Sequence, residues 1–467
     1  MLIDRDYELN FLEEQYKNKT GSFIIVYGRR RIGKTFLINE FTKNKPNIYL
    51  LGTREIRIEL IKKFSMKISE FFNDEIISKN PLTSWDSIFE YIIDKTVNIK
   101  NRLLIIIDEI TYIISVDKSF LSIFQKYYDT ELKNRNLMFI LSGSLINIVY
   151  NDILSYSSPL YGRRTGNIKL EEFKFSNVYR YFNYMDMKKT IEIYSIFGGM
   201  PYYLSLINSK KSIINQYICP GNIFYNDAEF ILREELSNPE RYFTILKLIA
   251  SGKNSISEMA NIMEYRTNEL SPYLDKLASM GTIKKEYPAY AKKRNNGVYK
   301  INSNYFNFYF KFIFENQEYI NEFKKNIIIN IINKNLNKYV SKIFEDICRE
   351  FLMENSGKII NSDIIEMGKW WGKNRNKEKG YDNEEIDILG RDLLNRYIFG
   401  EVKYKNKKAD INILNELKRK SSIFDFDNKL YIIFSYSGFN NDLITVSSIE
   451  KNVILIDGKK MENLLKK

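Results

Sequence analysis

Histidine is absent from the 467-residue sequence. That single absence removes Ser–His and Cys–His nucleophile pairs, histidine general bases and His-ligated zinc. Any chemistry must therefore run on carboxylates, lysine, arginine, hydroxyls and a hard cation such as Mg2+. Cysteine is nearly as scarce: Cys219 and Cys348 lie too far apart for a metal knuckle and read as two buried small hydrophobes. Long apolar runs are missing too, and a stretch such as Leu103 to Ile107 falls far short of a bilayer span. The opening Met1-Leu2-Ile3-Asp4-Arg5-Asp6 places acid where a secretory leader carries a cationic and then an apolar segment. A cytoplasmic protein with no membrane partner is expected. No Pro- or Gly-rich linker and no internal repeat interrupts the chain, and its most biased segment is the Asn/Ile/Lys-rich Lys324 to Lys338.

What is present suits a globular protein of two or three domains, with a hydrophobic share of 44%. Lys and Arg number 71 against 58 Asp and Glu, a net charge of +13. That excess favours an anionic partner such as nucleic acid, although a Lys-, Ile- and Asn-rich compositional bias explains it equally well. Near the amino end, Phe23-Ile24-Ile25-Val26-Tyr27 runs straight into Gly28-Arg29-Arg30-Arg31-Ile32-Gly33-Lys34-Thr35. A β-type apolar run feeding G-x-x-x-x-G-K-T is a phosphate-binding loop in its proper setting. The glycines let successive N–H groups point inward, and the following helix, from Phe36 onward, aims its positive end at the same place. Lys34 then reaches the outer phosphates, and the Thr35 hydroxyl is offered to Mg2+.

Downstream, Asn47–Leu51 reads as a second strand, and 56–73 and 85–96 read as helices. Leu103-Leu104-Ile105-Ile106-Ile107 is a strand buried on both faces that ends in Asp108-Glu109. Open parallel sheets bind ligands beyond the carboxyl ends of their strands, so Asp108 belongs at the metal and Glu109 at the attacking water. The alternative is that both acids cap a helix. A further strand, Leu137–Leu141, ends in Ser142-Gly143-Ser144, where Ser144 either senses the terminal phosphate or forms a plain turn. Before the strand-like Ile168–Leu170, Arg163 is a candidate charge-stabilising arginine or a solvated surface one.

Together with Tyr161-Gly162-Arg163 and Gly198-Gly199-Met200-Pro201-Tyr202-Tyr203, these residues resemble the archaeal ATPase family, a branch of the STAND class of signalling NTPases. The resemblance spans roughly the first half of the chain. It implies an α/β fold: a P-loop NTPase of the ASCE type, with an extra strand between the loop strand and the Asp-Glu strand, followed by a helical lid. It also implies that ATP with Mg2+ acts as a conformational switch, reset by slow hydrolysis. The implied ATP-binding set is Gly28, Arg29, Arg30, Arg31, Ile32, Gly33, Lys34, Thr35, Phe36 and Ser144, with Thr35 and Asp108 at the metal.

The rest of the chain divides further. Residues 175–236 read as helical, with a sharp turn at Phe197–Pro201. Helices at Tyr242–Ser251, Ser255–Met263 and Thr267–Met280, then strands at 282–286 and 298–301, resemble a winged helix-turn-helix. Its third helix would read a DNA groove, and the basic turn Lys292-Lys293-Arg294-Asn295-Asn296-Gly297 would touch phosphate; alternatively the module only packs. Beyond it, Glu345 lies on an amphipathic helix from Lys338 to Leu352, and Asp387 lies on an alternating strand. Glu401 and Lys403 share one face of the next strand. This pattern resembles the PD-(D/E)XK nuclease superfamily, a restriction-endonuclease-like α/β domain. That resemblance implies Mg2+ held by Asp387 and Glu401, Lys403 orienting water, and Glu345 adding a ligand or supporting one. Glu385-Ile386 stands where the superfamily usually has Pro-Asp. The expected segments are 1–174 for the ATPase core, 175–238 for the lid, 239–304 for the winged helix and 305–467 for the nuclease-like domain. The expected partners are ATP, DNA and a nucleotide-dependent second copy. The competing expectation is a signalling scaffold with an inactive nuclease-like domain.

Overall fold

Apolar runs with no polar face must be covered on both sides, and here they become the centre of a parallel sheet. A computed structural model describes residues 4–208, 210–218, 221–291, 297–321, 324–374 and 383–466. They form two compact units, Met1–Glu172 with Met200–Ser205, and Phe173–Gly199 with Leu206–Lys467.

The first unit is built on β1 (Ser22–Tyr27), β2 (Asn47–Leu51), β3 (Leu103–Asp108), β4 (Leu137–Gly143) and β5 (Gly166–Lys169), all parallel in the order β2-β3-β4-β1-β5. The strand carrying Leu137 to Gly143 thus lies between the loop strand and the acid strand, as the family resemblance implies. Every residue of β1, β3 and β4 is buried. Helices Arg57–Phe72, Trp85–Lys95 and Ser119–Thr130 each turn an apolar stripe inward, and Phe64, Trp85, Phe89, Phe120 and Phe124 form the layer against the sheet. Phe124 stands edge-on to Phe23 at 5.4 Å and to Phe139 at 5.2 Å, which joins helix, β1 and β4 in one contact.

In the second unit, helix Met187–Phe197 ends on Gly198 at φ 66, a conformation that favours glycine. Helices Glu240–Ser251, Ile256–Met263 and Thr267–Ser279 precede the antiparallel hairpin of β6 (Ile283–Glu286) and β7 (Val298–Ile301). The basic turn expected at Lys292 to Asn296 lies outside the described residues, as does Cys219. Cys348 is buried, as expected of a small hydrophobe. The helix expected from Lys338 runs much further, Lys325–Ile360, with Ile328, Ile332, Tyr339, Ile343 and Ile347 buried along it. Its polar Asn/Lys content hides the early turns, because only two apolar positions there face inward.

The carboxyl-terminal sheet is mixed, in the order β12-β11-β10-β9-β8, with β8 Ile364–Lys373, β9 Asn383–Asp392, β10 Tyr397–Lys403, β11 Lys429–Ser435 and β12 Val453–Asp457. The sequence pattern does not announce β8: two register irregularities break its alternation, and as an edge strand it leaves Ile365 exposed. No helix among the described residues is long and apolar enough to cross a membrane.

Phe124→Ala should cost about 3–5 kcal/mol of stability, because the hole opens between three elements that cannot all collapse into it. Urea unfolding followed by intrinsic fluorescence measures this directly.

Candidate nucleotide site and carboxylate cluster

The chain leaves β1 through Gly28, where a Cβ would lie only 2.6 Å from the Leu170 carbonyl oxygen, so no larger residue fits. The loop then returns through Gly33, at φ 95 and ψ 22, to start helix Lys34–Thr42. Lys34 is buried, and its Nζ donates to the carbonyls of Gly28 at 3.0 Å and Arg29 at 3.1 Å. Thr35 Oγ1 donates to Asp108 Oδ2 at 2.9 Å. Asp108 is buried, and it also accepts from the Tyr49 phenol and, through Oδ1, from the Glu109 N–H at 3.0 Å. Burial and the Asp108 carboxylate push the Tyr49 phenol up, so Tyr49 stays a donor. Tyr49, in the middle of β2, gave no motif signal.

A hydroxyl and a carboxylate 2.9 Å apart, beside a buried ammonium, are a donor set suited to a hard divalent ion and an anionic ligand. The Ser142 hydroxyl, fully buried at the carboxyl end of β4, has no hydrogen-bond partner among the described residues. Mg2+ with a polyphosphate therefore fits the groups present: Thr35 and Asp108 for the ion, and Lys34 with the loop N–H groups for the phosphates.

Glu109 sits at φ 54, a left-handed conformation costing roughly 1 kcal/mol or more for a non-glycine residue. It precedes helix Ile110–Val116 but makes no side-chain cap bond; instead its Oε2 accepts from Ser144 Oγ at 2.6 Å. The two strand ends, Asp108-Glu109 and Ser144, thus meet. Among the loop arginines, Arg30 donates to the Tyr112 phenol, and Arg31 stacks 4.6 Å from the Tyr202 ring centroid. The backbone N–H of Tyr202 reaches the Arg31 carbonyl at 3.4 Å. Ile32 is buried under the loop, whereas Phe36 is 52% exposed.

Arg163 is a correction. Its Nε donates to both carboxylate oxygens of Asp129, at 2.8 and 2.9 Å, and Nη1 donates to the Pro159 carbonyl at 3.0 Å. It precedes β5, whose Gly166 pairs with Ile24. Arg163 therefore stands at the amino edge of the sheet, opposite the edge where the phosphate loop opens, and cannot serve a phosphate there.

In the carboxyl-terminal sheet, Gly400 of β10 pairs with Ile388 of β9, which sets Asp387 across from Glu401. Asp387 Oδ2 accepts the Val402 N–H at 2.9 Å, and Arg349 donates to the Asp387 carbonyl at 2.7 Å. Burial, then Glu401 and Glu345, push the Asp387 carboxyl up to about 7. Lys403 donates to Glu401 Oε1 at 2.6 Å, and Lys420 to Oε2 at 3.3 Å. Lys369 bridges Glu345 and Glu385 at 3.1 Å each.

Those lysines already pair with two of the three carboxylates expected at the metal. Among the described residues, no group of three or more His, Cys, Asp or Glu is placed to hold an ion. Lys369 pairs with Glu345, in keeping with the supporting role, and Lys403 and Lys420 pair with Glu401, contacts that a bound ion would have to displace. Lys369 and Lys420 were not legible beforehand, since each lies on an element with no motif.

The winged-helix hairpin is also engaged locally. Ala289 N–H donates to the Lys369 carbonyl at 2.9 Å, and Tyr290 packs 5.5 Å from Phe426 and 5.9 Å from Tyr397. Lys300 and Arg349 both pair with Asp346. On helix Thr267–Ser279 the exposed positions are Thr267, Asn268, Glu269, Pro272, Asp275, Ala278 and Ser279, with Arg266 exposed at the N-cap and Lys276 half-buried.

Residues 2–207 match a family of ATPase domains predominantly from Archaea, and residues 309–414 match a family described as archaeal and bacterial proteins of unknown function. An uncharacterised protein of Methanocaldococcus jannaschii is 31% identical over 442 residues, which are 93% of this chain and 95% of that protein. A second protein of that organism, described as ATP-binding, is 49% identical over 45 residues, 10% of this chain and 76% of its own length. Among solved structures, the Walker-type ATPase of Pyrococcus abyssi shares the fold with a TM-score of 0.52 at 23% identity, covering 66% of this chain and 96% of that one.

Asp346 carries a pH prediction. Burial alone would raise its carboxyl, but Lys300 and Arg349 outweigh burial and hold it at about 2. A depressed carboxyl contributes stability above the unfolded value of about 3.9, which is lost as pH falls through the folded value. Asp346→Asn should therefore lower the melting temperature at pH 7, and the gap from the unsubstituted protein should shrink below about pH 4. Thermal melts across that range measure both.

Proposed function

The chain belongs to the archaeal ATPase family, and from that premise we propose that it is an ATP-hydrolysing switch coupled to a carboxyl-terminal domain that acts on DNA. The observation that carries the nucleotide half is the Thr35–Asp108 hydrogen bond at 2.9 Å beside the buried Lys34. ATP with Mg2+ supplies the phosphoryl group and the neutralising charge. The loop N–H groups from Gly28 to Lys34 orient the phosphates, and Lys34 leaves its two carbonyl partners to pair with the outer ones. Thr35 and Asp108 would hold the ion. Glu109 takes a proton from the attacking water, and Ser144, bonded to its carboxylate, links that position to β4.

For the carboxyl-terminal domain, the Asp387/Glu401 pair with Lys403 supports Mg2+-dependent cleavage of a DNA phosphodiester, Lys403 positioning water. A second reading, a nucleotide-controlled scaffold with an inactive nuclease-like domain, is favoured by the lysine pairing of Glu401.

Lys34→Ala should abolish ATP turnover in a phosphate-release assay, and turnover retained in that variant would refute the site. DNA incubated with protein and Mg2+ should be cut, and Glu401→Ala should stop the cutting; absence of cutting in both selects the scaffold reading. Asp387 is protonated below its raised value and ionised above it, and Mg2+ would have to displace that proton, so less Mg2+ should be needed for half-maximal cleavage at pH 8 than at pH 6.

A further inference from the structure

Carboxylates repel a phosphodiester, so a cluster such as Asp387, Glu401 and Glu345 needs cations beside it to hold a nucleic-acid strand. The long helix Lys325–Ile360 supplies them in a row. Lys334, Lys338 and Lys342 are exposed and four residues apart, so they stand on one face, about 6 Å apart along the axis. From Lys325 to Phe344 the sequence holds no Asp or Glu, and the exposed or half-buried positions between the three lysines are Asn335, Leu336, Asn337 and Ser341. The two acids one turn beyond Lys342 are engaged elsewhere: Glu345 accepts from Lys369 at 3.1 Å, and Asp346 accepts from Lys300 and Arg349. Among the described residues, no carboxylate pairs with Lys334, Lys338 or Lys342.

A fourth cation joins the row from the segment Tyr309–Ile313. Lys311 donates to the Ala250 carbonyl at 3.1 Å, and burial, then Lys342 and Lys338, hold its ammonium below the usual lysine range. Glu315, the acid on the same segment's far side, pairs with Lys247 at 3.0 Å. Like charges four residues apart on a helix cost about 0.2–0.5 kcal/mol per pair, a repulsion that a polyanion lying along the row relieves. The row also has a direction. Glu345 and Arg349 continue the same face, three and seven residues beyond Lys342, and Arg349 donates to the Asp387 carbonyl at 2.7 Å. Duplex DNA carries a negative charge about every 1.7 Å of its axis, so the roughly 12 Å from Lys334 to Lys342 lies against several phosphates. We propose that the lysine face of helix Lys325–Ile360 holds the DNA backbone and leads it to the carboxylate cluster. The proposal rests on the reading of that cluster as acting on DNA. Contacts to phosphate set position and carry no base information, so this binding is indifferent to sequence.

The test measures binding of a labelled DNA duplex to the full chain by fluorescence anisotropy over a series of salt concentrations, in EDTA so that cutting plays no part. One variant carries Lys334→Gln, Lys338→Gln and Lys342→Gln together, and a second carries Arg at the same three positions. A control carries Lys19→Gln, Lys67→Gln and Lys451→Gln, which removes as much charge from exposed positions elsewhere. The helix Gln variant should bind about 10²-fold more weakly near about 0.15 M salt, and its slope of log affinity against log salt should be shallower by about 2–3. The Arg variant and the control should bind as the unsubstituted protein does. A helix Gln variant that binds as tightly as the control, an Arg variant that binds as weakly as the Gln one, or an unsubstituted protein with no DNA affinity would overturn the proposal. Cutting assayed with Mg2+ separates this from the reading beneath it. Lysine-dependent binding with no cutting by the unsubstituted protein refutes cleavage and supports the lysine face. Undiminished cutting of sub-saturating DNA by the helix Gln variant refutes the lysine face and leaves cleavage standing.

Discussion

The hydrogen bond from Thr35 to Asp108 spans elements that are not neighbours in the sheet: Thr35 follows β1, Asp108 ends β3, and β4 lies between them. It can form only if all three strands end at one level and the helix after the loop begins there. The register supplies that condition, since Tyr27 pairs with Gly143 while Ile107 pairs with Leu141. The same levelling brings Ser144 to Glu109 and Tyr49 to Asp108. Three loop ends are thereby tied by short polar bonds over a sheet whose three central strands are buried throughout. The aromatic layer beneath gives these bonds a rigid base, and Glu109 in its left-handed conformation is tolerated because the surroundings leave it no other.

The carboxyl-terminal sheet solves a different electrostatic problem. Burying Asp387 and Glu401 on adjacent strands would be costly without compensation. Lys403 and Lys420 offset Glu401, the Val402 N–H caps Asp387, and Lys369 and Arg349 hold the flanking acids. The result is an almost neutral network into which the winged-helix hairpin is fastened, through Ala289 to Lys369 and through Lys300 to Asp346. The hairpin thus shares a hydrogen bond and an ion pair with the carboxyl-terminal sheet and the helix Lys325–Ile360.

Much of this was legible in advance. The loop from Gly28 to Thr35, the strand ending in Asp108-Glu109, the strand before Ser142, the three short helices and the alternating strand through Asp387 all follow from local pattern, because each is a run with one unmistakable period or motif. The strand β8, the early turns of helix Lys325–Ile360 and the roles of Lys369, Lys420 and Tyr49 were not legible. Each lacks a periodic signature: β8 is irregular and sits at an edge, and the side chains matter only through partners far away in sequence.

The sequence by itself determined the phosphate loop, the apolar strands and the acids at their ends, since backbone geometry and hydrophobic period are local properties. Only the tertiary structure decided at which edge of the sheet Arg163 stands, and which carboxylates are already neutralised by lysine. A motif specifies a residue's neighbours along the chain, whereas strand order and register specify its neighbours in space. Arg163 looks in sequence like an arginine of the phosphate site, yet it precedes a parallel strand rather than following one, and that places it on the opposite edge.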